Sequence, residues 1–333
     1  MTKYALLIGI NYYINSQFRL IGCINDVIVM RNYLIEKRGY LPDNITVLRD
    51  DDPTFILPDK NNILDKFKEL INSANINKSS EIFFYYAGYG AFLKDINIYE
   101  ISSDIEYIIP VDFIFSNETT YIYEDDIRSL LNNLNNNTKL LSVIDCCNFD
   151  TNIDLSYLHY EIGCKIKISQ DNSKKYANLL CKNIYSLGGY RDNQTSIKLY
   201  NLYTAITDLS DNRFSINNNI RYSGAFTSSL LEILNKTNTD NFSNILKDLY
   251  IKIKKLYYTQ DPLLSNSKNI NKKPNKTPNK KLNKKLIKIP NKKLIKKLIK
   301  IPNKKPNKKT NKKPNKKPNK KPNMIHNLLI KKI

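Results

Sequence analysis

Along the first ninety residues the apolar positions alternate between two patterns. Tyr4-Ala5-Leu6-Leu7-Ile8-Gly9-Ile10 is an unbroken apolar run, the mark of a strand buried on both faces. From Cys23 to Lys37 the apolar residues Ile24, Val27, Ile28, Met30, Tyr33 and Leu34 recur at helical spacing, and Gly39 supplies a stop. Ile45-Thr46-Val47-Leu48 reads as a short strand closed by Asp50-Asp51-Asp52-Pro53. Lys60 to Ala74 carries Ile63, Leu64, Phe67, Leu70 and Ile71 on one helical face, and Ser80 to Tyr86 is strand-like again. This strand–helix–strand–helix–strand order predicts a mainly parallel sheet with helices on both faces, an α/β fold. Further on, the pattern predicts a short strand over Ile108–Val111, a helix over Glu124–Leu134 and a strand over Lys139–Asp145. A strand over Ile184–Leu187 and helices over Gly224–Leu234 and Phe242–Tyr257 follow, and Gln260-Asp261-Pro262 closes the folded part.

Charge divides the chain in two. Residues 267–333 hold 26 Lys and no Asp, Glu or Arg; setting them against the formal net charge of +22 leaves −4 for residues 1–266. The expected domains are therefore a globular body, 1–266, and a Lys/Asn/Pro-rich segment, 267–333. There Asn-Lys-Lys-Pro units place Pro every fourth residue, which forbids a helix, and like charges repel. This tail is expected to be largely disordered, with a short basic amphipathic helix over 281–300, where Leu-Ile pairs alternate with Lys pairs, as one reading and a slipped repeat as the other. As a polycation it suits acidic surfaces or nucleic acid with steep salt dependence, though it has no aromatic residues to stack on bases. Five Cys without paired spacing, and an N-terminus leading straight into a strand rather than a signal peptide, fit free thiols in a reducing, cytoplasmic compartment. No apolar stretch reaches the roughly 18 residues of a transmembrane helix.

Two segments carry candidate chemistry. Phe84-Tyr85-Tyr86-Ala87-Gly88-Tyr89-Gly90 and Leu140-Leu141-Ser142-Val143-Ile144-Asp145-Cys146-Cys147 are both apolar runs ending in small or polar residues. Buried parallel strands deliver functional groups at their C-terminal ends in this way. These segments resemble the metacaspases, a family of caspase-like cysteine peptidases. The likeness extends through Lys3–Tyr12, Leu20-Ile21-Gly22-Cys23-Ile24-Asn25-Asp26-Val27, Pro58–Ile63, Ile109-Pro110-Val111-Asp112 and Asp145-Cys146-Cys147. It continues through Gly189–Ser196, Gly224-Ala225-Phe226-Thr227 and Gln260-Asp261-Pro262, so it spans residues 3 to about 265 in order.

The resemblance implies a caspase-like sandwich, a monomeric body and cleavage after Lys or Arg. It also implies roles for particular positions. Cys147 matches the nucleophile, and Gly90 the residue whose N–H helps hold the oxyanion. Asp26 and Asp145 match a pocket whose paired carboxylates receive a Lys or Arg side chain. Asp125, Asp126 and Asp154, with Asp104 as a fourth, match a cluster binding activating Ca2+, a hard cation suited to oxygen ligands.

The sequence departs from the family where catalysis would occur. The family has His between the two glycines; this chain has Tyr89. A thiol nucleophile needs a neighbouring base, and a phenol that keeps its proton to about pH 10 is a poor one. The chain has two His, His159 and His326, and neither lies in the motif. Asn148-Phe149-Asp150 replaces His-Ser-Gly after the nucleophile, and Tyr190 replaces a small residue. These changes favour a pseudo-peptidase that binds Lys- or Arg-containing peptides without cleaving them. Two alternatives stand beside it: an active, calcium-stimulated endopeptidase using a substitute base such as His159, and a polyanion binder acting through its tail. The tail's lysines also match the acid pocket of the body, which makes the chain's own cleft a further partner for them. Each site residue has a plainer reading as well: Cys147 as a small core residue, the acids of 124–126 as favourable charge at a helix N-terminus, Asp26 as a polar residue near a helix start.

Overall fold

The apolar run at the start of the chain forms β1 (Thr2–Gly9), and the periodic segment after it forms α1 (Cys23–Arg38). Gly39, with φ of 69°, caps that helix in the left-handed conformation that side chains resist, its N–H returning to the Leu34 carbonyl. Next come β2 (Ile45–Arg49), α2 (Lys60–Ile76), β3 (Ser80–Ala87), β4 (Gly90–Leu93), β5 (Ile105–Ile108), β6 (Ile122–Tyr123) and α3 (Glu124–Leu131). They are followed by β7 (Thr138–Asp145), β8 (Tyr157–Ile162), β9 (Lys165–Gln170), β10 (Asn183–Gly188), β11 (Lys198–Tyr200) and β12 (Tyr222–Gly224). The last elements are α4 (Ala225–Lys236), α5 (Phe242–Lys255) and β13 (Leu263–Asn266). This computed structural model describes residues 1–268 except 15–17, 78, 94–104, 115–116, 147–154, 163–164, 171–178, 180–181, 190–197, 201–221, 238–240 and 257–260. All lie within the first of two units of the chain, Met1–Asn271. The basic segment from 269 onward, with the helix expected over 281–300, lies outside the described residues.

The central sheet has eight strands in the order β2-β1-β3-β7-β10-β13-β8-β9. From β2 to β10 every pairing is parallel; from β10 to β9 every pairing is antiparallel. The expected α/β sandwich with a largely parallel sheet is thus the observed fold, and the antiparallel extension is added to it. Because β2 and β3 flank β1 on opposite sides, two right-handed crossovers put α1 and α2 on opposite faces of the sheet. α1 packs with α4, and α2 with α3. The strand order reverses beside β1, and open α/β sheets bind ligands at the C-terminal strand ends next to such a reversal.

Two differences from the expected elements have simple causes. The short strand lies at Ile105–Ile108 rather than Ile108–Val111, because Pro110 has no N–H to donate to a ladder. The helix expected to reach Leu134 stops at Leu131, where Asn132 and Asn133 let the chain turn. At the N-terminal edge of the sheet, opposite the candidate site, buried Glu81 accepts from the Tyr40 hydroxyl at 2.9 Å and lies 3.5 Å from Lys139 and 4.0 Å from Lys3. Burial and that carboxylate push the Tyr40 phenol far above its usual range.

Candidate active site

β1, β3 and β7 end together. Gly9 stands beside Ala87, Ala87 beside Asp145, and the Gly88 N–H donates to the Asp145 carbonyl at 3.4 Å. The two segments singled out by their sequence therefore lie side by side at the C-terminal edge of the sheet. Tyr89 and Cys147 each follow that paired row by two residues. Cys147 lies outside the described residues, as do Asn148-Phe149-Asp150, Tyr190, Asp104 and Asp154. Cys146 is described and is buried.

On one side of this edge stands a cluster of tyrosines. The Tyr12 hydroxyl donates to the Ile109 carbonyl at 2.6 Å and accepts from the Tyr89 N–H at 2.9 Å. The Tyr86 hydroxyl donates to the Tyr89 carbonyl at 2.8 Å and lies 3.3 Å from the Tyr12 hydroxyl. The Tyr89 ring packs at 4.9 Å from that of Tyr12. Both backbone polar groups of Tyr89 are thus held by buried phenols, whose own pKa values burial pushes well above the tyrosine range. Tyr12 has φ of 55°, a conformation that costs a bulky residue roughly 1–3 kcal/mol. Asp50 holds it there, its two carboxylate oxygens accepting from Asn11 N at 2.8 Å and Tyr13 N at 3.0 Å on either side. Gly90 opens β4 opposite Ile108.

On the other side stand the two acids. Asp26 comes from the first turn of α1 and Asp145 from the end of β7, and both are buried. Their carboxylates converge on Gly224: a Cβ there would lie 2.2 Å from Asp145 Oδ2 and 3.1 Å from Asp26 Oδ2. Asp26 accepts from the Gly224 N–H at 2.9 Å and 3.0 Å and from the Ser223 hydroxyl. Asp145 accepts from the Thr227 hydroxyl at 2.6 Å and the Thr227 N–H at 3.2 Å. Burial raises the Asp145 pKa, and these two donors oppose the rise. The Tyr85 hydroxyl completes the chain at 2.8 Å from Thr227 Oγ1, its own pKa raised by burial and then by the charges of Asp26 and Asp145.

The physical role of this arrangement follows from the helix it meets. A helix leaves its first N–H groups unpaired, and a side-chain oxygen normally accepts from them. α2 uses Asp59 and α5 uses Asn241 in this way. α4 begins after Gly224, which has no side chain to offer, and takes its acceptors from Asp26 and Asp145 instead. The negative charges also face the positive end of the α4 dipole.

The two described members of the expected calcium cluster are engaged otherwise. Asp126 accepts from the Tyr123 N–H at 3.0 Å and lies 3.8 Å from Lys60, while Asp125 pairs with Arg128. Both serve the start of α3, and no group of three ligating side chains occurs among the described residues. His159 is buried on β8 beside Leu264 of β13, with Nε2 2.8 Å from Asn266 Oδ1. β10 and β13 intervene between β8 and β7, so His159 stands three strand spacings, roughly 14 Å, from the strand leading to Cys147.

Sequence reasoning gave no role to Tyr12, Asp50, Tyr85, Ser223 or Thr227. Thr227 lay in a recognised motif, and Tyr85 put a hydroxyl into an otherwise apolar strand that had to find a partner. Tyr12 closed a recognised motif and Asp50 a predicted strand, but neither position pointed to the contact between distant loops that gives them their roles.

Residues 3–156 match the family model of the metacaspase, peptidase C14 domain. Metacaspase-1 of Eremothecium gossypii is 39% identical over 163 residues, 48% of this chain and 34% of that protein. Metacaspase-1A of Aspergillus oryzae is 38% identical over 164 residues, 49% and 38% of the two chains. Metacaspase-1 of Kluyveromyces lactis is 29% identical over 298 residues, 80% and 66%. The chain thus spans about a third of the length of the first two relatives and 66% of the third. A crystal structure of a Geobacter sulfurreducens protein shares the fold, with a TM-score of 0.51 at 16% identity over 81% of this chain and 94% of that one. No helix among the described residues is long and apolar enough to cross a membrane. Over its N-terminal segment, residues 3–156, the chain is therefore similar to the metacaspases of the C14 peptidase family.

Proposed function

We propose that this protein is a cysteine-peptidase-like module whose catalysis is impaired and whose paired acids, Asp26 and Asp145, are a pocket for Lys or Arg side chains. The observation that carries the reading is the tyrosine beside the strand ends. The resemblance puts Tyr89 where the family has its base, and the N–H and carbonyl of Tyr89 are tied to Tyr12 and Tyr86. A phenol does not take a proton from a thiol near neutral pH, so Cys147 has no activated form to offer a peptide bond. The distance of His159 from β7, and the pull of burial on it toward the neutral form, support the same reading. Calcium, if it acts, would draw on Asp104 and Asp154 together with Asp125 and Asp126 released from Arg128 and Lys60.

The test is cleavage of a fluorogenic peptide with Arg before the scissile bond, using the full chain with and without millimolar calcium. Wild type is expected to be silent. Tyr89→His is expected to gain activity that Cys147→Ala removes in the same background. Wild-type cleavage lost in Cys147→Ala alone would overturn the proposal.

A further inference from the structure

The acid pair that would receive a basic side chain already holds part of its own chain. Gly224 sits between the two carboxylates at a separation that admits no Cβ, and five hydrogen bonds tie residues 223–227 to them. The donors that a Lys or Arg side chain would bring, N–H groups carrying positive charge, are matched here by a hydroxyl and backbone N–H groups at the positive end of α4. The two sets compete for the same carboxylate oxygens.

We propose that Ser223-Gly224, at the junction of β12 and α4, is a built-in plug of the Asp26–Asp145 pocket, which a basic side chain enters only by displacing it. This rests on the pocket reading given above and adds how the pocket is regulated. The helix start then has two states. In one its N–H groups are capped by Asp26 and Asp145; in the other it gives up that capping to a guest. A ligand can shift such an equilibrium only by its difference in affinity for the two states. Wild type is therefore a weak binder whose apparent affinity is reduced by the fraction of molecules that are plugged. Ser223 is the natural point of control. Its hydroxyl donates to Asp26 and accepts from the Ser228 hydroxyl at 2.8 Å, so its loss loosens the plug without touching either carboxylate.

The experiment measures binding of acetyl-Leu-Arg-amide to the full chain by calorimetry, with amide hydrogen exchange at Gly224 and Thr227 followed in parallel. Ser223→Ala removes a donor from the plug, and Gly224→Ala wedges it away from the carboxylates. Both are expected to speed exchange at these two amides and to tighten peptide binding by about tenfold, the effect of one competing charge-assisted hydrogen bond. Faster exchange with affinity equal to wild type would overturn the plug and leave the pocket standing. Faster exchange with no binding by any of the three proteins would overturn the pocket reading and the plug with it. If Gly224→Ala does not fold, Ser223→Ala alone decides between these outcomes.

Discussion

The two sides of the β3–β7 edge meet the same difficulty with opposite chemistry. On the acid side, the residues that start α4 donate to two buried carboxylates. On the tyrosine side, neutral hydroxyls satisfy the backbone around residue 89 from two directions, through Tyr12 and Tyr86. The acid side gives two buried carboxylates a structural task as acceptors for a helix start. The tyrosine side fixes the backbone of residue 89 with hydroxyls and packs its ring against Tyr12. The contrast teaches that one sheet edge can satisfy its buried polar groups either with carboxylates or with neutral phenols, and that the first choice ties the edge to a helix while the second ties it to a loop.

The largest test of the contrast is Asp26→Ala. It leaves the Gly224 N–H and the Ser223 hydroxyl without their acceptor in a buried place, so a loss of about 3 kcal/mol is expected. Thermal melting of the full chain should show this as a fall of roughly 6–12 °C. Tyr12→Phe probes the other side and should cost less, about 1.5 kcal/mol. It orphans the Tyr89 N–H and leaves the Ile109 carbonyl only a share of the one Tyr86 proton, 3.1 Å away, which also goes to the Tyr89 carbonyl. The urea midpoint should drop without a change in slope, and a loss exceeding that of Asp26→Ala would break the comparison.

The smallest effects are in pH dependence, and their signs are opposite. Burial raises the folded pKa of Asp145 above the usual 3.8, so its contribution is fully present below that value and is lost as pH rises through the folded pKa. The stability of wild type relative to Asp145→Asn should therefore decline with rising pH. Burial depresses the His159 pKa below 6.5, so its contribution is present above 6.5 and is lost as pH falls through the folded pKa. Relative to His159→Gln, wild type should weaken on acidification. Melting curves of the three proteins across pH would expose a wrong sign at either residue.

The parallel half of the sheet was legible because its strands are buried on both faces and carry long apolar runs, as in Tyr4–Ile10 and Leu140–Ile144. The antiparallel half was not. β9 is an edge strand, largely exposed, with Lys165 and Lys167 in it, and its sequence reads as a polar loop. β13 is four residues long and follows Asp261-Pro262, which reads as an ending. At the site, Asp26 and Asp145 were found because likeness to a family marked them. Their convergence on Gly224 was invisible, since it joins residues almost 200 positions apart.

The place of β13 has a consequence for how the molecule is made. It lies between β10 and β8, yet among the strands of this sheet it is the last to be synthesised. The β8–β9 hairpin therefore has no neighbour to join until residue 266 is available, and the parallel half presents β10 as an open edge until then. Such an exposed edge invites pairing with other chains. Refolding from denaturant should accordingly be slow for a body of this size, because its central sheet is closed by a contact between distant parts of the chain.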